Sequence, residues 1–198
     1  MKLFKSTAVM VFLAYPTVAQ TVVGRAVVDG RTVTLFDDQS WQYETASEAG
    51  CKLLSSKLSF CGDLLQWKET RVPAPDVIAA YRYNDRNYGQ FIIEDIGTAQ
   101  GLTTESVRKI VLDIARQASG QDPVVISVQP VFLADLAGET IVYSFKISGV
   151  ETIYTNSLFL TENTMLQAMT YAVGTSTHAP LHESIHAELL AATQLKVE

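Results

Sequence analysis

An α+β domain is the architecture that the residue order predicts: an antiparallel β-sheet with two main helices packed on it, preceded by a small N-terminal β-meander. Three observations predict it. Short runs of alternating apolar and polar residues recur between tight turn signals, which demands antiparallel neighbours. One stretch, 103–119, carries apolar residues at helical spacing. The runs follow the order strands, helix, antiparallel meander, helix, so one face of the sheet is expected to take the amphipathic helices. A length of 198 residues suits one such domain with a small appendage. A hydrophobic fraction of 47% excludes disorder as the main state.

Residues 1–19 read as a secretory signal peptide. Lys2 and Lys5 open it, Ser6 to Tyr15 is largely apolar, and Thr17-Val18-Ala19 places small residues at the −3 and −1 positions of a cleavage site. The apolar run is too short to span a bilayer, and no other stretch approaches the ~20 apolar residues of a membrane helix. The mature chain is therefore expected to start near Gln20, to be periplasmic or secreted, and to make no stable membrane insertion after cleavage. Losing those two lysines and no acid moves the net charge from −6 to −8. That balance gives no general electrostatic reason to bind nucleic acid.

Residues 20–45 read as the meander. Val22 to Val28 is a strand, Asp29-Gly30 a two-residue hairpin turn, and Thr32 to Phe36 the returning strand. Asp37 to Ser40 turns again into Trp41-Gln42-Tyr43. Residues 46–75 form a connector, expected to hold short helical turns and to end at Pro73 and Pro75. Its two cysteines, Cys51 and Cys61, are the only ones in the chain. An even count in an exported protein reads as one disulfide, which contributes about 2–3 kcal/mol for a loop of this size. Metal binding needs more soft ligands, and residues 50–65 contain no His. Redox chemistry wants a tighter Cys-x-x-Cys. Trp67 is expected to plug a gap in the core.

Residues 76–198 read as the α+β domain. Tyr81-Arg82-Tyr83 and Gly89 to Glu94 are strands around the turn Asn84 to Asn87. Thr103 is the candidate N-cap of a helix over 103–119, and Gly120 its C-terminal stop. Val107, Ile110, Val111, Ile114 and Ala118 supply its apolar face, with Ile114 expected against the sheet. Val124 to Val128, continued through Val131 to Leu133, is a strand. Ile141 to Ile147, the turn Ser148 to Glu151, Thr152 to Leu160, the turn Thr161 to Thr164, and Met165 to Ala172 complete the sheet. A last helix is expected over about 180–194.

Two resemblances attach to these residues. The run DGRTVTLFDDQSWQYE resembles a short segment of uncharacterised bacterial periplasmic proteins, with the pattern DG-x-x-V-x-L-x-DD-x-x-W-x-Y. Over residues 76–195 the element order resembles the Mog1/PsbP-like fold, together with Gly89 to Gly97, Gly138 to Gly149 and the stretch from Gln167 into the last helix. That resemblance implies a non-enzymatic accessory or binding module and carries no functional residue with it.

One motif competes with that reading. His182-Glu183-Ser184-Ile185-His186 spells H-E-x-x-H, which on a helix puts two imidazoles one turn apart where they can share a zinc ion, with Glu183 as general base. His178 lies four residues earlier, so the chain's three histidines share one spacing. Against a peptidase stand the missing third ligand, since only Glu188 and Glu198 follow, and the short remaining chain. Leu189 and Ala192 stand where a metzincin continuation needs Gly and His, and Pro180 puts the motif in a helix's first turn. Leu181, Ile185, Leu189 and Ala192 form the apolar stripe, and the histidines are expected to flank it on a solvated or half-buried edge. Other candidates are thinner. Asp37-Asp38 and Glu94-Asp95 are acid pairs at turns or strand ends. Tyr81, Tyr83, Tyr88 and Phe91 either line a groove or pack across strands.

The sequence thus points to an exported, non-catalytic binding or accessory protein of the bacterial cell envelope. It needs no cofactor and contacts a protein or envelope component through a sheet face or the meander. The alternative is a zinc-dependent hydrolase using His182, Glu183 and His186.

Overall fold

Long alternating strands joined by two-residue turns dictate a meander, and the backbone follows that instruction. The computed structural model describes residues 20–28, 31–43 and 50–196. Residues 1–19, where a signal peptide is expected, and Asp29-Gly30, where a hairpin turn is expected, lie outside them. Strands β1 (Val22–Val28), β2 (Arg31–Phe36) and β3 (Trp41–Tyr43) pair in order as a small antiparallel sheet. Strands β4 (Lys52–Leu53), β5 (Leu58–Phe60) and β6 (Lys68–Glu69) follow, where short helical turns were expected. The main-sheet strands then come in sequence: β7 (Val77–Arg82), β8 (Asn87–Glu94), β9 (Val124–Leu133), β10 (Leu136–Ile147), β11 (Val150–Leu160) and β12 (Met165–Val173). Helix α1 (Thr104–Ser119) falls between β8 and β9, and helix α2 (Pro180–Ala191) follows β12. The last helix ends earlier than expected, because Thr193–Leu195 forms strand β13, which pairs with β5.

The main sheet has seven strands in the order β6-β7-β8-β12-β11-β10-β9, with every pair antiparallel. One of its two-residue turns is Ser148-Gly149, where both residues have positive φ, 50° and 83°. That geometry is the one that matches the twist of two paired strands. At its edges β6 is short and charged, and β9 carries Pro130, two devices that discourage further pairing.

The two helices lie on opposite faces of the sheet, not on one. Along β11, Tyr154 and Leu158 pack with α1 residues, while Phe159, one position on, packs with Ile185 and Leu189 of α2. Period-two alternation makes this possible, because both faces of a central strand are apolar. The α2 face is further covered by Leu58, Phe60 and Trp67 from the disulfide-linked segment. Cys51 and Cys61 are bonded, and the Cys61 N–H donates to the Ala192 carbonyl at 2.7 Å. Trp67 is fully buried, and its Nε1–H donates to Glu188 Oε1 at 2.8 Å. Gly89 lies beneath the indole, where a Cβ would come within 2.7 Å of the Trp67 ring, so only glycine fits.

Helix α1 starts and stops as its sequence dictates. The Thr103 side chain accepts from the Ser106 N–H at 3.1 Å, and Gly120 closes it with φ 71°. Its phase differs from expectation. Val107, Val111 and Ala115 face the sheet, whereas Ile110 and Ile114 are 50% and 58% exposed. The sheet covers only the narrow i, i+4, i+8 stripe of this helix, and the i+3 positions fall on the helix flank. Val111→Ala should therefore cost about 2 kcal/mol, two buried carbons and the space they leave. Ile114→Ala should stay within about 0.5 kcal/mol. Urea unfolding of both variants checks this, and a larger loss at Ile114 would contradict the helix phase.

Candidate functional site

The H-E-x-x-H run sits at the start of α2, with Ala179 as N-cap and Pro180 in the first turn. His182, at the third helical position, accepts the Ala179 N–H on Nδ1 at 3.2 Å. It is half-buried, and burial, with His178 nearby, lowers its pKa. Glu183 is exposed and reaches back to His178, with Oε1 3.5 Å from Nδ1. His178 Nε2 lies 3.4 Å from Thr155 Oγ1.

His186 was expected on a solvated or half-buried edge; it is buried at 5% exposure. Strands β11 and β12 place small hydroxyls beneath it. Nε2 lies 2.7 Å from Ser157 Oγ and Nδ1 lies 3.0 Å from Thr170 Oγ1, and Ser157 Oγ is in turn 2.6 Å from Thr140 Oγ1. Both ring nitrogens are thus used within a buried hydroxyl network. Burial, with the charge of His178 adding, lowers the imidazole's pKa to about 3. The space between His182, Ile185 and the sheet is a cavity of 10 Å³, about enough for one water. Among the described residues, no three His, Cys, Asp or Glu side chains gather in a way that could hold a metal ion. Leu181, assigned to the apolar stripe, is 53% exposed.

The other candidates disperse. Asp37 and Asp38 occupy a turn, where hydrogen bonds from Ser40 hold the Asp38 carboxyl below its usual range. Asp95 pairs with Lys57 at 2.8 Å, away from Glu94. Tyr81 and Phe91 are core residues on the α2 face, and Tyr83 stacks edge-on against Trp67 at 4.8 Å. Its hydroxyl also donates to Glu188 Oε2 at 3.2 Å. Tyr88 belongs to the opposite face.

That opposite face holds the larger feature. A helix is about 10 Å wide and strands lie ~4.8 Å apart, so one helix covers about two strands. Helix α1 lies over β10 and β11, leaving β12 and β8 as the floor of an open groove of 320 Å³. Ile110 and Ile114 form one wall and the Pro73–Asp76 segment the other. Strand register arranges the sheet surface in rows. Tyr143, Tyr154, Tyr171 and Tyr88 stand directly opposite one another across four strands, with successive rings stacked 5.4, 5.3 and 5.1 Å apart. Burial raises the pKa of Tyr143, Tyr154 and Tyr171, so these three hydroxyls stay protonated at physiological pH.

The next rows carry amides: Asn156, Met169 and Gln90 are neighbours in one, and Leu158, Gln167 and Ile92 in the other. Asn156 Nδ2 donates to Gln167 Oε1 at 2.9 Å. Sequence reasoning missed these amides. The signal was present, since Gln90 and Gln167 interrupt the apolar runs GQFIIE and MLQAMTY, but only the register shows that they meet.

No protein-family model matches the chain, and no curated protein matches it significantly. Solved structures do. Cyanobacterial PsbP from Synechocystis sp. PCC 6803 superposes with a TM-score of 0.52 at 13% identity, over 75% of this chain and 94% of that one. A protein from Bacteroides thetaiotaomicron VPI-5482 superposes with a TM-score of 0.50 at 10% identity, over 76% of this chain. The match spans 50% of that protein's own length. At such identities the likeness shows the fold alone: a PsbP-like α+β fold, as the element order implied.

Proposed function

We propose that this chain is an exported, non-catalytic binding or accessory protein of the bacterial cell envelope, and that the groove beneath α1 is its binding site. The groove carries this reading. It is the place where large apolar side chains, Ile110 and Ile114, stay exposed beside buried amides, which is how ligand sites combine affinity with orientation. The fold similarity to PsbP agrees with an accessory role. The Cys51–Cys61 bond suits an oxidising compartment. Among the described residues no helix is long and apolar enough to cross a membrane. The H-E-x-x-H run serves, in this reading, as a helix start and a core strut: His182 caps the α2 backbone and His186 joins α2 to the sheet.

Two measurements test the proposal. The intact mass of protein recovered from the periplasm should correspond to a chain beginning at or near Gln20 and should rise by two hydrogens on reduction. Full-length protein with two alkylatable thiols would contradict export. Protein isolated from an envelope fraction should also carry a stoichiometric small molecule or companion protein that Ile110→Asp, at the groove wall, fails to retain. Equal retention by the variant would remove the groove from the proposal.

A further inference from the structure

The groove also indicates what kind of molecule it takes. We propose that it binds a neutral single-chain amphiphile, with an amide or hydroxyl head on Gln90 and Gln167 and an alkyl chain running beneath Ile110 and Ile114. This rests on the reading of the groove as the binding site.

The head-group argument begins with the two glutamines, each only 8% exposed. Gln167 Oε1 is taken by Asn156, which leaves its Nε2 donor with no partner among the described residues. Gln90 Nε2 meets only the Met169 sulfur at 3.4 Å, a weak acceptor, and its Oε1 takes no donor among them. Asn156 Oδ1 is buried without a hydrogen-bond partner as well. Buried amides left in this state are unfavourable unless something meets them. Free amide N–H donors and a free amide oxygen on adjacent rows match a group that offers both an acceptor and a donor, as a hydroxyl or a primary amide does.

Charge narrows the class. The lining holds Asp76 and Glu94 and no Lys, Arg or His. A carboxylate or phosphate head would face two acids with no counter-ion. A cationic head would be drawn to the exposed rim acids, but at the glutamines it would be desolvated without an opposing charge. A neutral head incurs neither penalty.

Size and wall chemistry define the tail. The groove measures 320 Å³, the scale of a small single-chain ligand. Ile110, Ile114, Ala118, Phe145 and Ile147 provide an apolar path from the glutamines to solvent. Each further methylene buried there should raise affinity about fourfold.

Calorimetry and side-chain amide NMR on the mature protein test the proposal, with octan-1-ol, decan-1-ol, decanoate and decyltrimethylammonium as probes. Decan-1-ol should bind saturably at one per chain and shift the Gln90 and Gln167 NH₂ signals. Octan-1-ol, two methylenes shorter, should bind about fifteenfold more weakly, and decanoate at least tenfold more weakly than decan-1-ol. Ile114→Asp sits on an exposed flank, so it should keep the wild-type thermal transition and weaken decan-1-ol at least tenfold. If either charged probe binds as tightly as decan-1-ol, the ligand class is wrong while the groove stands as the binding site. If no probe binds or shifts the glutamines, the groove reading falls too. If no probe binds and Ile114→Asp converts a dimer to a monomer, the occupant is a second copy of the chain and the proposal is overturned.

Discussion

Trp67→Ala is expected to lower the free energy of unfolding by about 3–5 kcal/mol, the range for removing a buried aromatic side chain. The indole is fully buried and joins three parts of the fold that sequence separates widely. Phe60 of β5 meets it edge-on at 5.9 Å, Tyr83 meets it at 4.8 Å, and Glu188 of α2 accepts its N–H. Truncation would open a cavity over Gly89 and leave the Glu188 carboxylate with Tyr83 alone. Trp41 in the meander is 53% exposed, and Trp41→Ala should change stability by no more than about 0.5 kcal/mol. Urea unfolding of both variants checks the contrast. Equal losses would mean that Trp67 is not the centre of the α2-side core.

Acid should destabilise the fold well above the pH at which carboxylates titrate. His186 has a folded-state pKa of about 3 against an ordinary value of 6.5. The unfolded chain therefore binds more protons between those limits, and stability falls as pH falls. The contribution is fully present above pH 6.5, is reduced by about 2 kcal/mol at pH 5, and by about 4 kcal/mol at pH 3. His182, lowered by burial, acts in the same direction below pH 6.5. The depressed carboxyls of Asp38 and Asp113 act only below their ordinary value of 3.8. His186→Gln keeps two hydrogen-bonding ends for Ser157 and Thr170 but does not titrate. Its stability should be much flatter between pH 7 and pH 5 than that of the wild type. A wild-type chain equally stable at both pH values would mean that His186 is not held neutral in the core.

Local chemistry made much of this fold legible. Thr103 and Gly120 bound α1 because capping is decided by a few neighbouring residues, and Ser148-Gly149 turns because of its own backbone preferences. What stayed hidden depends on register and layering. Apolar runs on both faces of β11 and β12 do not say which helix goes on which face. The stripe of α1 could not be chosen between Ile114 and Ala115 without knowing how little of the helix a sheet covers. Leu58–Phe60 pairs with a strand more than a hundred residues away, at Thr193–Leu195, and no local pattern announces that. The site divides in the same way. The H-E-x-x-H spacing was plain, yet Ser157 and Thr170, which occupy the nitrogens of His186, stand beneath it only because β11 and β12 align there. The tyrosine row and the two glutamines come from four separate segments.

The central claim is that His182 caps the start of α2, that His186 joins α2 to the sheet, and that the chain works by binding, without catalysis. Titrating zinc into the mature, untagged protein at pH 7, while following the imidazole signals of His178, His182 and His186 by NMR, tests it most directly. The predicted result is an unmoved His186 ring, far less than one zinc per chain after dialysis, and the same behaviour in Glu183→Gln. Stoichiometric zinc that shifts His182 and His186 together, with a hydrolytic activity that Glu183→Gln abolishes, would contradict the account.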